Sequence, residues 1–336
     1  MKKLLSVMLT LLLVLGMSTA AFAADNQDAS FGKTYKITNE GTSNPEETFT
    51  FTFTAERVTD SNANLTTADM PQIAASTVKF DAGTATAAGL QKNVAVALSN
   101  VQWPGVGVYY YKVKETAGTT AGVTYDDATA YLKVTVAYDE GTNTYYTAFV
   151  TLNLADENGD GKTDVKTGGF TNVYSAGSLA ISKNVTGNMG NQDTYFAVKV
   201  TLTGETGKTY LPAYAVTGGS NKDNPAAIAI GEETTFYLKH GEAITIANLP
   251  YGVTYTVVEE DYTTTEKGGY DAASYSFSDD NKKIDSAADT VGITNNKSTG
   301  VDTGIGLDSM PYILMLAVAC MGLFVFFSKK RMKRES

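Results

Sequence analysis

The chain has very few of the residues that form disulfides, metal sites and catalytic triads. Among its 336 residues, Cys320 is the only cysteine and His240 the only histidine. Cys320 lies in an apolar tail, so the rest of the chain cannot form a disulfide. A single histidine excludes most histidine-based metal sites and Ser–His–Asp triads. We therefore predict no cofactor, and any unusual stability must have a source other than sulfur.

Positive charge is also in short supply. Lys and Arg number 26 against 36 Asp and Glu, which gives a formal net charge of −10 at pH 7. Nucleic acid is itself a polyanion and is therefore not an expected partner, while the acidic balance favours solubility outside the cell. The sequence also lacks a nucleophile elbow, and apart from the residue sets described below it has no paired catalytic carboxylates. We therefore do not expect a secreted enzyme.

The N-terminus has the pattern of a secretory signal peptide. Lys2 and Lys3 precede an apolar run at residues 4–16, and Ala21-Phe22-Ala23 supplies small residues at the usual cleavage position. We predict a signal peptide at residues 1–23 and an extracellular mature chain. A membrane-spanning N-terminus is the weaker alternative, because the run is short for a bilayer and no stop-transfer pattern follows it.

The C-terminus combines three features in order. Residues 311–327 are nearly all apolar and are followed at once by a basic tail, which is typical of a membrane stop with its positive end inside. The pentapeptide Val301-Asp302-Thr303-Gly304-Ile305 lies just upstream. A plain membrane tail is the simpler alternative. The three parts together resemble the cell-wall sorting signal of Gram-positive surface proteins, with Asp302 in place of the usual proline. The resemblance implies that a sortase attacks Thr303 and releases Gly304 onward.

The region between these ends alternates apolar and polar residues with a period of two. Alternation is clear at residues 48–53, 130–136 and 195–202, and turn clusters interrupt the runs at short intervals. This pattern predicts an all-β fold made of sandwiches. A small-residue linker at residues 175–178 separates two similar halves. We predict a first domain at residues 24–174, a second at residues 175–297 and the sorting signal at residues 298–336.

Each half carries a lysine, a glutamate and an asparagine in the apolar phase of its strands. Residues i and i+2 of a strand point to the same face. By this count Lys33 falls among Phe31 and Tyr35, and Lys183 falls among similar neighbours in the second half. A glutamate follows on a middle strand and an asparagine on the last strand. The two sets are Lys33, Glu115 and Asn172, then Lys183, Glu259 and Asn295.

Two interpretations of these sets are open. The residues could reach water at strand ends, or they could form a satisfied buried salt bridge with an amide hydrogen bond. Alternatively, they could form a covalent cross-link. Burial lowers the pKa of a lysine and raises that of a glutamate, so a neutral amine becomes a nucleophile beside a protonated acid. The acid can then polarise the asparagine amide while the fold holds the groups together. Because the set occurs twice, we favour the cross-link.

The residues around these positions resemble the streptococcal T-antigen type of major pilin. The motifs that carry the resemblance lie at residues 107–115, 122–126, 170–172, 183–187 and 259–262. The resemblance implies two tandem immunoglobulin-like, CnaB-type β-sandwich domains. It implies an isopeptide bond from Lys33 to Asn172 assisted by Glu115, and one from Lys183 to Asn295 assisted by Glu259. Asn296 is an adjacent alternative to Asn295, but the strand phase favours Asn295.

The same resemblance implies a structural subunit of a covalent pilus. Its expected partners are identical subunits, a class C-type pilus sortase, a housekeeping sortase, and possible tip and base pilins, with transient membrane anchoring by the tail. A lysine near the end of the first domain would attack the Thr303 thioester of another subunit, and Lys166 is slightly preferred over Lys162. The alternative function is a monomeric, wall-anchored adhesin with the same domains.

An acidic loop before the last strand of the first domain offers a weak calcium alternative. Candidate ligands occupy positions 1, 3, 5 and 9 of a calcium-loop pattern, with glycine at position 6. Position 12 is Thr167, which cannot supply the usual bidentate carboxylate, and helices are not expected on either side. We therefore predict a polar turn and no metal. The four candidate ligands are Asp156, Asn158, Asp160 and Asp164.

Overall fold

The computed structural model describes residues 21–22, 28–61, 64–154, 166–299, 314–316 and 319. The prediction of an all-β fold is confirmed, because the described residues up to 299 form strands, loops and two short 3-10 helices at Thr67–Asp69 and Thr265–Lys267. The strands of the first half are β1 Ala21–Phe22, β2 Ala29–Ile37, β3 Glu47–Thr59, β4 Ser76–Phe80, β5 Leu90–Val96, β6 Gly107–Thr116, β7 Val123–Thr124, β8 Thr129–Asp139, β9 Thr144–Leu154 and β10 Gly169–Tyr174. Those of the second half are β11 Ala176–Thr186, β12 Phe196–Thr203, β13 Tyr214–Gly218, β14 Ala227–Ile228, β15 Glu233–Leu238, β16 Ala243–Pro250, β17 Thr254–Glu259, β18 Ser274–Phe277 and β19 Ala288–Asn296.

The first half is a sandwich of two sheets. One sheet has the order β1-β9-β8-β6-β3-β4 and the other has the order β5-β2-β10-β7. Inward-facing aromatic residues join them: the ring of Phe31 on β2 lies 5.1 Å from that of Phe51 on β3, edge to face. Tyr35 and Phe49 make a second contact of the same kind, also at 5.1 Å. The alternating residues of these strands therefore supply the core, as the period of two predicts.

Strand β2, the first long strand of this sandwich, lies beside its last strand, β10. Strands β2 and β10 are parallel, with Lys33 in register with Phe170 and Tyr35 in register with Asn172. The approach of the two backbones depends on Gly169, whose φ of 135° falls in a region that favours glycine. A Cβ atom placed there would lie 1.6 Å from the carbonyl oxygen of Gly32. Glycine at this position therefore brings Lys33 and Asn172 onto one buried face.

The second half is also built from two sheets, with orders β14-β13-β16-β11-β19-β18 and β15-β12-β17. Strands β12 and β17 are antiparallel, with Val198 in register with Glu259. Leu179 and Ile181 of β11 and Ile244 of β16 are fully buried. Glu259 is the last residue of β17, an edge strand of the three-stranded sheet, and its side chain is fully buried.

The chain divides into two compact units. The larger contains Met1–Asn184, Asp193–Glu260 and Ser274–Ile293, and the smaller contains Val185–Gln192, Asp261–Ala273 and Thr294–Ser336. Among the described residues of the smaller unit, the Asn188 side chain exchanges hydrogen bonds of 3.0 Å with the backbone N–H and C=O of Thr299. The Lys297 amine donates to the carbonyl oxygen of Gly268 at 2.6 Å. These bonds fix the chain that follows β19.

Only Ser175 separates β10 from β11, and hydrogen bonds join the two sandwiches near this point. The Asn248 side chain accepts from the Ser43 N–H at 2.8 Å and donates to the Ser43 carbonyl at 2.9 Å. The Asn39 amide donates to the carbonyl oxygen of Ala176 at 2.8 Å. Asn248 has a φ of 59°, a conformation that asparagine tolerates better than most residues.

Among the described residues of the C-terminal tail, 314–316 and 319 are helical. Within the part of the chain that the structure describes, no helix has both the length and the apolar character needed to span a membrane.

Candidate cross-link sites

The first site is built around a buried ion pair. Lys33 projects from β2 into the core, and its Nζ atom donates a hydrogen bond of 2.5 Å to Oε2 of Glu115 on β6. Both side chains are 0% exposed. The same Nζ atom lies 4.5 Å from the centre of the Phe49 ring, so aromatic surface surrounds the amine. The lysine amine and the glutamate carboxyl are therefore held together without solvent between them.

Asn172 on β10 completes the first site. Its Nδ2 atom donates a short hydrogen bond to Oε1 of Glu115, so the two oxygens of this carboxyl bind the lysine amine and the asparagine amide. Asn172 is fully buried. Its Oδ1 atom accepts a 2.8 Å hydrogen bond from the backbone N–H of Asp126. The structure thus brings Lys33, Glu115 and Asn172 into one hydrogen-bonded group.

Burial shifts the protonation equilibria of the pair in opposite directions. Desolvation lowers the pKa of the Lys33 amine, and the neighbouring Glu115 carboxyl partly opposes this effect. Desolvation also raises the pKa of the Glu115 carboxyl, against the opposing effect of Lys33. Both shifts favour a neutral amine beside a protonated acid, which is the combination needed for nucleophilic attack on an amide.

The second half contains a similar pair. Lys183 Nζ on β11 lies 2.8 Å from Glu259 Oε2 on β17, and both side chains are 0% exposed. The Lys183 amine also lies 4.1 Å from the centre of the Phe196 ring. Desolvation again lowers the pKa of the lysine amine. In both halves, a buried lysine therefore meets a buried glutamate beside an aromatic ring.

Asn295 belongs to the smaller compact unit and lies on β19. It is 1% exposed, whereas the side chain of Asn296 is only partly buried. Asn296 donates a 2.6 Å hydrogen bond to the Asp271 carboxylate, and its oxygen accepts one of 3.1 Å from Thr186. These contacts engage Asn296 at the surface, which leaves Asn295 as the buried asparagine of the last strand.

The remaining predicted site residues are mostly outside the described part of the chain. Lys166 is described: it is exposed and forms an isolated antiparallel bridge with Asn153 of β9. The predictions for Lys162, Thr303, Gly304 and the calcium-loop residues Asp156, Asn158, Asp160 and Asp164 fall outside the described ranges. Among the residues that are described, no group of three or more histidine, cysteine or acidic side chains could hold a metal ion.

Asp126 also contacts the first site, although the alternation of residues along the strands does not predict this. It lies in the segment between β7 and β8, and its contribution to Asn172 is a backbone N–H. Backbone donors have no signature of their own in residue type or spacing. The sequence carries one related signal, a Tyr-Asp pair in each half, at Tyr125-Asp126 and Tyr270-Asp271.

The folds and buried sites define a class: two-domain β-sandwich proteins with a lysine–glutamate pair in the core of each domain. Residues 30–175 match the family model described as the Spy0128-like isopeptide containing domain, and residues 177–297 match a model for a domain of unknown function. The first domain is therefore similar to the Spy0128-like isopeptide containing domain.

Comparisons that span both domains find similar proteins among streptococcal pilins. A curated pilin of Streptococcus pyogenes serotype M1 is 28% identical over 254 residues, which cover 71% of this chain and 72% of the relative. The structure of the major pilin T3.2 from Streptococcus pyogenes is matched at a TM-score of 0.56 and 26% identity, over 82% of this chain and 100% of that one. Another Streptococcus pyogenes major pilin matches at 0.54 and 22% identity over the same shares, which supports the fold. The resemblance to major pilins predicted from the sequence is thus confirmed.

Proposed function

We propose that this protein is the structural backbone subunit of a covalently polymerised Gram-positive pilus, with an isopeptide bond inside each domain. The observation that carries the proposal is the fully buried group of Lys33, Glu115 and Asn172. A buried ion pair is a weak source of stability, because the cost of removing two charges from water can exceed their attraction. A covalent product would account for keeping three polar side chains in an aromatic core.

The proposed reaction in the first domain is an exchange of one amide for another. The neutral Lys33 amine attacks Cγ of Asn172, the Cγ–Nδ2 bond breaks, and ammonia leaves. One proton must pass from the attacking nitrogen to the leaving nitrogen. Glu115 is hydrogen-bonded to both nitrogens and carries this proton between them. The fold supplies the proximity, and each site reacts once, so the reaction is a maturation step and not an enzymatic turnover.

The second domain is proposed to react in the same way, with Lys183 as nucleophile, Asn295 as acceptor and Glu259 as proton carrier. The support is the buried Lys183–Glu259 pair, the burial of Asn295, and the position of their strands: β11 is the first of this domain, and β19 is the last and its neighbour in the sheet. Each bond would tie together the two ends of a domain.

Polymerisation is proposed to use Thr303 of one subunit and Lys166 of the next, joined by a pilus sortase, with a housekeeping sortase attaching the polymer to the cell wall. Lys166 is supported as the nucleophile because it is exposed and its backbone is held at the edge of β9. Lys162 is the alternative. Tip and base pilins would be further partners, and the signal peptide and C-terminal tail would direct export and transient membrane retention.

Intact mass spectrometry of the folded mature chain tests the cross-links. The wild type should weigh two ammonia molecules less than its sequence, and Lys33→Met, Glu115→Ala or Asn172→Ala should each restore one of them. A wild-type mass equal to that of the sequence would refute both bonds. Denaturing gels of cell-wall extracts test the polymer: a covalent ladder supports the pilus subunit. Monomer-sized material alone, with a working sortase present, would instead support the wall-anchored adhesin.

A further inference from the structure

The segment between β7 and β8 places one backbone donor directly on the carbonyl that the proposed cross-link must activate. The N–H of Asp126 lies 2.8 Å from Oδ1 of Asn172. When an amine adds to Cγ of Asn172, the carbonyl electron pair moves onto Oδ1 and this oxygen becomes an oxyanion. A donor already aimed at that oxygen stabilises the developing charge without reorganisation, and such donors act strongly where water is excluded.

The side chain of Asp126 explains why its own N–H points there. Its Oδ2 atom accepts a 2.7 Å hydrogen bond from the N–H of Thr171, the residue before Asn172 on β10. Its Oδ1 atom accepts a 3.0 Å bond from the N–H of Ala128. The carboxylate therefore ties the turn to β10 at one end and to the start of β8 at the other. The backbone N–H is held over the Asn172 carbonyl between these two attachments.

We propose that Asp126 is a positioning residue for cross-link formation, which presents its own backbone N–H to Asn172 Oδ1 as an oxyanion donor. This inference rests on the proposed Lys33–Asn172 bond and adds a component to it. Glu115 binds both nitrogen atoms of the reaction, and the Asp126 N–H binds the oxygen. Together they contact every polar atom that changes its bonding or charge.

The corresponding motif of the second domain is connected differently. There the N–H of Asp271 donates to the backbone carbonyl oxygen of Asn296 at 2.8 Å, and the Asp271 carboxylate accepts from the Asn296 side chain. The backbone N–H of Asp271 thus donates to a backbone carbonyl of β19, whereas that of Asp126 donates to a side-chain carbonyl. We therefore restrict the role of an oxyanion donor to Asp126 in the first domain.

Replacing one backbone N–H by an ester oxygen tests the proposal directly. Malic acid, loaded on a suppressor transfer RNA in cell-free synthesis, puts an ester before residue 126 and keeps the carboxylate. The same replacement at the exposed neighbour Asp127 is the matched control. Synthesis is stopped with acid at successive times, and loss of ammonia from the first domain is followed by intact mass in a Lys183→Met background.

We expect the ester at position 126 to slow the loss of ammonia by at least about 100-fold, as removal of an oxyanion donor does in acyl transfer. The control ester at position 127 should react within twofold of the normal chain. A purely structural role of Asp126 predicts no effect of the ester, because the carboxylate and its two bonds remain. An ester at position 126 that reacts at the normal rate would overturn the proposal.

Two further measurements separate this outcome from other failures. Near-ultraviolet circular dichroism of each variant in a Lys33→Met background reports whether the unlinked domain folds. Should the ester variant fail to fold, Asp126→Ala takes its place, with an expected slowing of tenfold or more against Asp127→Ala, and equal rates would reject the role. If the normal chain itself loses no ammonia, the proposed cross-link is wrong, and the inference falls with it.

Discussion

Lys33 Nζ lies 2.5 Å from Glu115 Oε2 in a core where neither side chain exposes any surface. Each group alone would be expensive to bury as an ion, and the pair is kept by mutual hydrogen bonding. The arrangement has two outcomes: it can persist as an ion pair, or it can be consumed by a reaction with Asn172. The consequences for stability and reactivity can be measured separately.

Removal of the carboxyl should make stability depend on pH through Lys33. In Glu115→Gln the buried lysine loses the group that opposed its pKa shift, so its pKa stays below that of the unfolded chain, about 10.4. Between the two pKa values the unfolded state binds more protons, and the free energy of unfolding therefore rises with pH by up to about 1.4 kcal/mol per unit.

Urea unfolding of Glu115→Gln between pH 7 and 9, after mass spectrometry has shown the chain to be unlinked, measures this slope. The double variant Lys33→Met, Glu115→Gln is the control and should lack that part of the pH dependence. Equal slopes in the two proteins would mean that Lys33 is not buried as a shifted amine.

Gly169 should be essential to the first site for steric reasons. A methyl group at this position meets the Gly32 carbonyl at 1.6 Å, so Gly169→Ala must push β10 away from β2. We expect Gly169→Ala to retain the ammonia of the first domain and to lower the melting temperature substantially. Gly41→Ala is the matched control, because Gly41 also has a positive φ, 85°, but a Cβ there meets nothing within 4 Å.

The control substitution should cost only about 1–2 kcal/mol, the ordinary price of a left-handed conformation, and should leave the cross-link intact. Intact mass reports whether each variant forms the cross-link, and calorimetry measures its melting temperature. A cross-link that forms normally in Gly169→Ala would show that the close approach of β2 and β10 is not required.

The reciprocal bonds between Asn248 and Ser43 should protect the Ser43 amide from hydrogen exchange. Asn248→Gly removes both bonds while keeping the positive φ available. Loss of about 1 kcal/mol at this contact raises exchange of the Ser43 amide roughly fivefold. Asn143→Gly, at a first-domain turn with a φ of 57°, is the control and should leave Ser43 unchanged. Unaltered exchange in Asn248→Gly would contradict the contact.

The choice of linking lysine can be made by charge-conserving substitution. In cells with the cognate sortase, Lys166→Arg should abolish the covalent ladder and Lys162→Arg should preserve it, because arginine keeps the charge but is too weak a nucleophile to accept the acyl group. Immunoblots of cell-wall extracts measure this, with Thr303→Ala as the control that prevents all joining. A ladder in Lys166→Arg but not in Lys162→Arg would identify Lys162 as the linking lysine. Ladders in both variants would show that neither lysine is required alone.

The sequence was informative where period-two alternation and charge coincide. Lys33 and Lys183 stand in the apolar phase of clear strands, and the structure buries both beside glutamates that the same rule selected. Alternation depends only on the local backbone, so it predicts which face a residue occupies. The prediction of two β-sandwiches rested on the same signal and is confirmed.

Strand pairing, the Asp126 donor and the need for Gly169 depend on contacts between residues far apart in sequence, which local alternation does not predict. Parallel pairing of β2 with β10 joins residues about as far apart as a domain allows, and the period of two does not specify strand order. The Asp126 donor is a backbone atom whose direction comes from hydrogen bonds to Thr171 and Ala128. The requirement for Gly169 could not be predicted either, because a glycine at the start of a strand is common and only the nearby backbone of Gly32 makes it necessary.

The single residue between β10 and β11 has a mechanical consequence for a fibre joined at Lys166. A pulling force applied there would run along β10, through Ser175 and into β11, so that a single residue separates two strands on its path. Apart from β10, the first domain would lie outside the path of the force and would carry no load. The proposed Lys33–Asn172 bond would therefore keep the first domain attached to β10 without bearing the pulling force. The proposed Lys183–Asn295 bond joins the first and last strands of the second domain and would bear the force directly.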